Sequence, residues 1–562
     1  MHRSVRGVFL GLAALGMVAT ACSSSSSKSS GGSGATGSGS STTIAAKQGG
    51  DLVVSAEQEP DCVDWVASCA ASSWGVWSMF VETMPRAYDI TDKTQFVPGD
   101  MLAGPADFVA TPTEKITYHI KPEAVWSDGQ PITSHDFKYT WDQEVHGKDI
   151  NDTTGYIDIA SVDDTDPHTA VVTMAKPFVD WKALFSGFVG VLPSHLLEGK
   201  DRSALMKDGY TFSGGPWMID HWTKGTEVKL VPNPKFWGKK PNLNSLTFKF
   251  LTDTAAEQAA FKSGQVSAVY PQAQPGGETL KDVPGTDFSA VPSLFFEEIW
   301  FQDTAPVVKE TAVRQALAYA TDRDAIVKQL FSAIQPDIAP IQSSYTPAHG
   351  PAYSTPYSKY KPDLKQVDTL MTGAGWAKGG DGIWAKGGQR ASLELKTTTG
   401  NKRRALTAQI LQSQWKAAGF ELNLVTEKAG VLFGKDLPGG NFQVALYAQT
   451  PSDPDPAQCN IWCSKNIPGP SNANAGQDYT RYSDPTVDKL EADADTNFDQ
   501  ATRLKDVNDA QKTMADAVPA LPLDPFPDIV AINGDRVGSE TGKFVHNVVY
   551  GPFDYANTWF LK

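Results

Sequence analysis

The amino-terminal segment determines where folding begins. Two arginines precede an apolar run over residues 8–19, which is too short to span a bilayer and is typical of a secretory signal. Residues 23–43 are almost entirely Ser, Gly and Thr, so they cannot bury enough apolar surface to offset the entropy of ordering them. We therefore interpret residues 1–21 as a signal peptide and residues 22–49 as a linker, and expect the folded part to begin near Gly50.

Cys22 follows the small residues Ala19-Thr20-Ala21, and this pattern resembles the lipobox of bacterial lipoproteins. The resemblance implies that Cys22 becomes the lipid-modified first residue of the mature chain. Because one acyl chain alone binds a membrane only marginally, stable anchoring needs more than one chain. The linker then acts as a tether of roughly 25 Å, at about 5–6 Å times the square root of its length. The alternative is an ordinary cleaved signal with an unmodified Cys22.

Four of the five cysteines lie beyond Cys22, and an exported chain meets an oxidising compartment. Four cysteines allow three pairings, of which the local one joins Cys62 to Cys69 and Cys459 to Cys463. The alternative is a four-thiolate zinc site, but the intervals are not the usual two-residue knuckles. The sequence therefore favours two local disulfide bonds.

The chain as a whole has an ordinary globular composition, with 41% hydrophobic and 20% charged residues. Its length exceeds what one hydrophobic core usually serves, so we expect two or three lobes. Helical periodicity is clearest over residues 313–331, 403–418 and 485–518, and strand-like segments alternate with these helices. That alternation predicts α/β lobes with mixed sheets. The net charge of −15 argues against nucleic acid as a partner and against a polybasic membrane contact.

Linear motifs of hydrolases and metal enzymes are missing from the sequence after the linker. It has no G-x-S-x-G nucleophile elbow and no H-E-x-x-H zinc helix. Residues 493–499 imitate the start of a calcium loop, but Phe498 and Leu504 stand where Gly and Glu are required, which favours a solvated helix face. We therefore predict no catalytic residue, no cofactor and no metal, and keep an exported hydrolase as the less favoured alternative.

Four stretches, in a fixed order, carry a family resemblance. They are Trp126–Thr133 (WSDGQPIT) with Asp136-Phe137, Gly214–Trp217 with Trp222, Gly225 and Asn233–Trp237, Phe261–Val266, and Val313–Leu317 with Ala320–Arg323. Together they resemble the family 5 extracellular solute-binding proteins, which are the peptide-, nickel- and oligosaccharide-type receptors of ABC importers. The four stretches lie between Trp126 and Arg323.

The resemblance implies an α/β fold of the periplasmic-binding-protein-like type II, with two lobes joined by a hinge and an additional domain. The expected segments are 50–80, 210–300 and 525–562 for lobe I, 81–209 for the additional domain and 301–524 for lobe II, with crossings near Phe212, 294–302 and 521–532. A solute that bridges both lobes only when they are shut shifts the population to the closed form. The resemblance thus implies a binding protein and not an enzyme, acting as a monomer.

The resemblance also implies a set of ligand-binding residues in the cleft. They are Ser72, Ser73, Trp74, Arg404, Tyr447, Gln449, Thr450 and Asp453. In peptide-binding relatives a carboxylate neutralises the peptide amine at the position where Thr450 stands, and Asp453 or Asp455 is the candidate substitute. Dipeptide binders carry an Arg where this chain has 397–399 (Thr-Thr-Thr), so the departures favour longer peptides or a different solute.

The expected partners follow from the anchor and the resemblance together. They are a peptide or other small solute, the transmembrane subunits of an ABC permease, and the membrane through the lipid on Cys22 alone. The expected location is the outer face of the cytoplasmic membrane. A nickel chelate or an oligosaccharide remains the alternative ligand for the same fold.

Overall fold

The computed structural model describes residues 46–71, 78–187, 189–345, 353–449, 457–472, 474–547 and 549–562. All of them fall within one structural unit, residues 43–562. The strands are β1 Asp51–Ala56, β2 Tyr88–Ile90, β3 Phe96–Pro98, β4 Asp107–Val109, β5 Lys115–His119, β6 Ile159–Asp166, β7 Thr169–Met174, β8 Trp217–Thr223, β9 Glu227–Pro232, β10 Ser245–Phe250, β11 Ala268–Val269, β12 Thr286–Phe301, β13 Ala377–Lys378, β14 Trp384–Lys386, β15 Gln389–Arg390, β16 Ser392–Thr398, β17 Glu421–Glu427, β18 Val444–Gln449, β19 Ala520–Asn533, β20 Val537–Ser539 and β21 Trp559–Leu561.

Helices of eight or more residues are concentrated in the second half of the chain. They are α1 Ser134–His146, α2 Thr254–Lys262, α3 Thr311–Ala320, α4 Arg323–Phe331, α5 Leu364–Gly373, α6 Lys402–Ala417, α7 Pro485–Thr496 and α8 Gln500–Ala517. Shorter helical segments are Ser68–Ala71, Val81–Thr83, Tyr156–Asp158, Trp181–Ala183, Ser194–Leu197, Arg202–Met206, Gly277–Asp282, Pro356–Lys359, Ala429–Val431, Leu432–Asp436, Leu437–Gly439, Cys459–Trp462, Ser464–Asn466, Pro470–Asn472 and Pro552–Thr558. Among the described residues, no helix is both long and apolar enough to cross a membrane.

A ten-stranded mixed sheet organises the fold, in the order β17-β16-β18-β12-β19-β11-β1-β10-β9-β8. Its two longest strands, β12 and β19, pair antiparallel along most of their length, from Thr286 opposite Asn533 to Trp300 opposite Ala520. β19 continues into one half of the sheet through β11, and β12 continues into the other through β18. The expected crossings 294–302 and 521–532 fall within these two strands. The α/β fold with lobes joined by crossing strands is therefore what the sequence predicts.

Three large buried clusters of apolar side chains pack against this sheet and the smaller sheets, and a fourth, small cluster consists of Val81, Ile90, Val549 and Tyr550. The first core spans Leu52 to Tyr270 and adds carboxy-terminal residues up to Trp559, and it includes the four-stranded sheet β4-β5-β7-β6. The second core surrounds α3, α4 and α6. The third core joins Trp300 to the two long helices α7 and α8. The first core takes residues from both lobe I and the additional domain as we delimit them, and those boundaries stay predictions.

The WSDG segment forms a turn that holds the start of α1. Gly129 has φ +91°, in the left-handed region that favours glycine, and its N–H donates to the carbonyl of Trp126. The Nε1 of Trp126 donates to Asp136 Oδ2 at 3.3 Å, and Asp136 forms a capping box with Thr133. This family segment therefore has a structural role, because it fixes the start of α1.

Two arginines of the fourth family stretch, Arg314 and Arg323, stabilise the fold through hydrogen bonds to backbone carbonyls. Arg323 is buried and donates to the carbonyls of Ile341 and Pro522, both at 2.9 Å, which ties α4 to the crossing strand β19. Arg314 donates to the carbonyl of Ala517 at the end of α8. Asp322 caps α4 by accepting from the N–H of Ala325, as its position between the two helical stretches predicts.

Candidate functional site

A cavity of about 280 Å³ lies between the first and third cores. One wall belongs to the first core and to the loops around α1, and the opposite wall comes from the end of β18 and the segments that follow it. Its lining residues are Trp65, Val66, Ile90, Phe96, Glu144, Asn151, Asp152, Thr154, Tyr156, Phe178, Asp180, Ala183, Leu184, Ser186, Gly187, Val189, Trp300, Phe433, Tyr447, Ala448, Gln449, Ala457, Gln458, Cys459, Asn460, Ile461, Gln477, Tyr479 and Asp495. The cavity is thus both aromatic and polar, as ligand sites commonly are.

Disulfide-closed loops supply part of each wall. Cys62 is bonded to Cys69, and the loop between them carries the lining residue Trp65. Cys459 is bonded to Cys463, and this short loop carries the lining residue Asn460. These are the two local pairs among the three possible pairings. Each bond restricts the conformations of a loop that faces the cavity.

A stack of aromatic rings supports the third-core wall. The ring of Trp300 lies parallel to that of Tyr447 at 4.7 Å and to that of Trp462 at 5.4 Å, and Trp462 is followed by Tyr345 at 6.1 Å. The Nε1 of Trp300 donates to the carbonyl of Tyr447 at 3.0 Å. The ring of Phe433 meets Tyr447 edge-on at 5.6 Å. This wall therefore presents flat apolar surface to a ligand.

Buried amide groups continue the same wall beyond the rings. The side chain of Gln449 contacts that of Gln458, and in the orientation that satisfies its amide its Nε2 donates to Glu298 Oε2 at 3.1 Å. Burial raises the pKa of Glu298 well above its usual range. The N–H of Gln458 donates to Glu491 Oε2 at 2.8 Å. These contacts fix the two amides that face the cavity.

Contacts across the cavity join its two walls. The Nδ2 of Asn460 lies 3.4 Å from Asp152 Oδ2, and the N–H of Gly476 donates to the carbonyl of Asn151 at 3.3 Å. The N–H of Val179 donates to the carbonyl of Asp495 at 2.9 Å. These three polar contacts link the opposite walls of the cavity.

A buried charge cluster lies away from the cavity, where β12 and β19 cross. Glu297 Oε1 accepts from the Nε of Arg404 at 2.8 Å, and its other oxygen contacts Arg403. Asp524, opposite Glu297 on β19, lies 3.7 Å from Arg403, and burial raises its pKa to about 7. Burial likewise raises the pKa of Glu57 to about 7. The cluster couples α6 to both crossing strands.

The ligand-binding residues that the family resemblance implies fall into three groups: those that line the cavity, one that does not, and those outside the described residues. Tyr447 and Gln449 line the cavity. Arg404 does not line it, because its guanidinium is committed to Glu297 and to Thr398 Oγ1 at 2.8 Å. Outside the described residues lie Cys22, Ser72, Ser73, Trp74, Thr450 and Asp453.

Most of the cavity-lining side chains escaped the sequence reasoning. Glu144, Asp152 and Tyr156 come from residues 81–209, which we expect to form the additional domain, and no motif marks them. Asp495, interpreted above as part of a solvated helix face, lines the cavity, and Asp499 caps α8. Glu144, Asp152 and Asp495 are visible in the sequence as charged residues, but nothing local distinguishes them from the other carboxylates of the chain. Among the described residues, no group of three or more His, Cys, Asp or Glu side chains is arranged to hold a metal ion.

Comparison with known proteins gives one family and one fold. The family model for bacterial extracellular solute-binding proteins, family 5 (middle), matches residues 71–467. The oligopeptide-binding protein AppA of Bacillus subtilis is 24% identical over 498 residues, which cover 84% of this chain and 86% of the relative. The structure of AppA from Bacillus subtilis in complex with a nonapeptide has a TM-score of 0.82 at 21% identity, covering 92% of this chain and 100% of that one. NikZ from Campylobacter jejuni in complex with Ni(L-His) has a TM-score of 0.77 at 21% identity, covering 91% and 99%.

Proposed function

The chain belongs to the bacterial extracellular solute-binding proteins of family 5, and from that premise we propose that it captures peptides and delivers them to the membrane subunits of an ABC importer. The ligand is a peptide, and the importer's membrane subunits receive it from the closed form. The proposal places the protein at the outer face of the cytoplasmic membrane, held by a lipid on Cys22. No covalent chemistry is part of this function.

The observation that carries the proposal is the mixed lining of the cavity. Peptide backbone offers alternating N–H donors and carbonyl acceptors, and the lining side-chain amides of Asn460 and Gln477 carry both complements. The aromatic wall around Trp300 and Tyr447 suits the apolar parts of peptide side chains. A relative that is 24% identical is an oligopeptide-binding protein, which supports the same ligand class.

The size of the cavity bears on ligand length. Its volume of about 280 Å³ is near the lower end of the range of roughly 300–1,000 Å³ that is usual for small-molecule sites. Peptides of a few residues therefore fit better than long ones. A single compact solute of similar volume would fit equally, and the experiment below distinguishes the two.

Closure supplies the signal that a permease reads. A solute in the cavity touches Tyr156 on one wall and Tyr447 on the other, so it gains both sets of contacts only when the walls are together. Its binding free energy then favours the closed form in proportion to its differential affinity for the two forms. The contacts from Asn460 and Gly476 to the opposite wall form in the same step.

Native mass spectrometry of the protein purified without its signal peptide tests the proposal directly. Gentle denaturation should release a ladder of short peptides that co-purify with the chain. A single non-peptide species, or an empty protein that ignores peptides in thermal-shift assays, would refute the peptide ligand.

A matched pair of variants locates the ligand. Asn460→Ala removes a lining amide, whereas Asn423→Ala removes an exposed amide on β17. We expect the retained peptide to fall several-fold in the first variant and to stay unchanged in the second, since a lost hydrogen bond is worth about 0.5–1.5 kcal/mol. Equal retention in both variants would place the ligand elsewhere.

A further inference from the structure

The acidic side chains that line the cavity have no basic counterpart in the lining among the described residues. Glu144, Asp152, Asp180 and Asp495 are lining residues, and the described lining contains no Lys, Arg or His. A solute that contacts the described lining therefore meets carboxyl groups and no side-chain cation.

Two buried polar atoms in the lining lack hydrogen-bond partners within the described part of the chain. Glu144 is only 1% exposed, and its Oε1 has no hydrogen-bond partner among the described residues. The Nε1 of Trp65, on a residue 4% exposed, has none either. A buried polar atom without a partner is unfavourable, so these two atoms indicate that a ligand group or a water supplies the missing hydrogen bond.

The guanidinium that attracts Glu144 is already committed to other groups. Arg202 is buried, and its guanidinium donates to Asp64, to the carbonyl of Lys148 at 2.5 Å and to Gln143 Oε1 at 3.3 Å. Burial raises the pKa of Glu144 well above its usual range despite the attraction of Arg202, and Asp152 raises it further. A positive group brought into the cavity would therefore stabilise the ionised form of Glu144.

Asp152 is placed to receive the same positive group. Its Oδ1 accepts from the N–H and the Oγ1 of Thr154, at 2.9 and 2.7 Å, and so fixes the carboxylate in position. Within the described part of the chain, its Oδ2 accepts only from the Nδ2 of Asn460, at 3.4 Å across the cavity. The residue is half-buried, so its charge is less screened by solvent than that of a surface Asp.

We propose that this cavity selects positively charged solutes, with Asp152 and Glu144 holding an ammonium or guanidinium group among the aromatic side chains of the lining. The inference rests on the proposed function, because it specifies which peptides the same cavity takes: those with a Lys or Arg side chain, in preference to those with Asp or Glu. The aromatic rings add cation–π attraction to the charge of the carboxylates. An acidic peptide would be repelled by the carboxylate of Asp152 and would give Glu144 no reason to ionise.

Isothermal titration of residues 23–562 with matched tetrapeptides tests the selection. The probes are tetra-alanine with one Lys, Gln or Glu, scanned over the four positions, so that charge changes while length stays constant. At the preferred position we expect the Lys peptide to bind at least about tenfold more tightly than the Glu peptide, with the Gln peptide between them. Equal affinities, or a preference for Glu, would overturn the proposal.

A matched pair of variants assigns the selection to the cavity. Asp152→Asn should reduce the Lys-to-Glu affinity ratio by about tenfold. Asp163→Asn is the control, because Asp163 accepts the same two hydrogen bonds, from the N–H and Oγ1 of Thr165, on the exposed part of β6 outside the lining. Thermal unfolding of both variants checks that the fold is kept. An unchanged ratio in Asp152→Asn would remove that residue from the proposal.

Two small probes separate failure of the charge selection from failure of the peptide function. They are 1,5-diaminopentane and glutarate, which have the same number of carbons and opposite charge. Binding of the diamine without binding of any tetrapeptide would refute the peptide ligand and support charge selection. Binding of all tetrapeptides alike would support the peptide ligand and refute charge selection. Binding of none of these probes would refute both.

Discussion

Replacing Arg404 by Met distinguishes a structural role for this guanidinium from the ligand-binding role that the family resemblance implies. The side chain is buried and donates to Glu297 at 2.8 Å and to Thr398 at 2.8 Å. Removing one partner of a buried ion pair costs about 3–5 kcal/mol, because the other charge remains buried. Since Arg403 still contacts Glu297, we expect the lower end, about 3 kcal/mol.

That free energy converts to a small but measurable shift in melting temperature. An unfolding entropy of about 2.1 cal/mol/K per residue gives about 1 kcal/mol/K for roughly 500 residues, so the melting temperature should fall by about 3 °C. Differential scanning calorimetry without ligand measures this shift. Lys402→Met is the matched control, because Lys402 precedes Arg403 on the same helix and its exposed side chain makes only a 3.8 Å contact with Asp253. We expect no resolvable shift in the control.

Ligand affinity provides the second measurement on the same variant. If Arg404 acts only on the crossing strands, the affinity of Arg404→Met for its peptide should stay within about twofold of the original, less than 0.5 kcal/mol. The opposite result, an unchanged melting temperature with a tenfold loss of affinity, would refute the structural role. It would return Arg404 to the ligand site despite its position outside the described cavity.

Two further predictions concern pH and closure. Burial raises the folded-state pKa of Asp524 to about 7. Between about pH 4 and pH 7 the folded state therefore holds a proton that the unfolded state has released. The free energy of unfolding should consequently fall as pH rises through this range. Denaturant unfolding at pH 5 and pH 8 should show a flatter dependence in Asp524→Asn, and an unchanged slope would contradict the assignment. The ring of Phe498 packs against the ring of Phe108 on β4, with centroids 5.5 Å apart. Because such aromatic pairs contribute about 0.5–1.5 kcal/mol, Phe498→Ala should destabilise the closed form and weaken ligand binding two- to tenfold. Leu364→Ala, at another exposed apolar residue, should leave the affinity unchanged, and equal losses in both variants would argue against a role in closure.

The frame of this protein was accessible to sequence reasoning because its signals are local. Asp484-Pro485 predicts a capped helix start, and the Asp484 side chain accepts from the N–H groups of Thr486 and Val487. The expected helix to about Val518 is two helices, since Asp499 caps a second one after the break at residues 497–499. The family segments belong to the same frame, and none of their residues lines the cavity.

The cavity was less accessible, because its walls come from distant parts of the chain. Asp152 and Asn460 are 308 positions apart, and no periodicity or motif relates them. Tyr447 and Gln449 were found through the family resemblance, whereas Trp65, Glu144 and Asp495 have no local signal. Whether a carboxylate faces solvent or a cavity depends on how the two walls meet, and that is a property of the tertiary fold.

The two disulfide-closed loops have a consequence for when the protein becomes competent. The loops that carry Trp65 and Asn460 are each closed by a bond that forms in an oxidising compartment. Where these bonds are reduced, both loops lose that restriction, and a bound solute must supply the ordering of the two walls at a cost to its affinity. We therefore expect solute binding to depend on the oxidised state of Cys62–Cys69 and Cys459–Cys463.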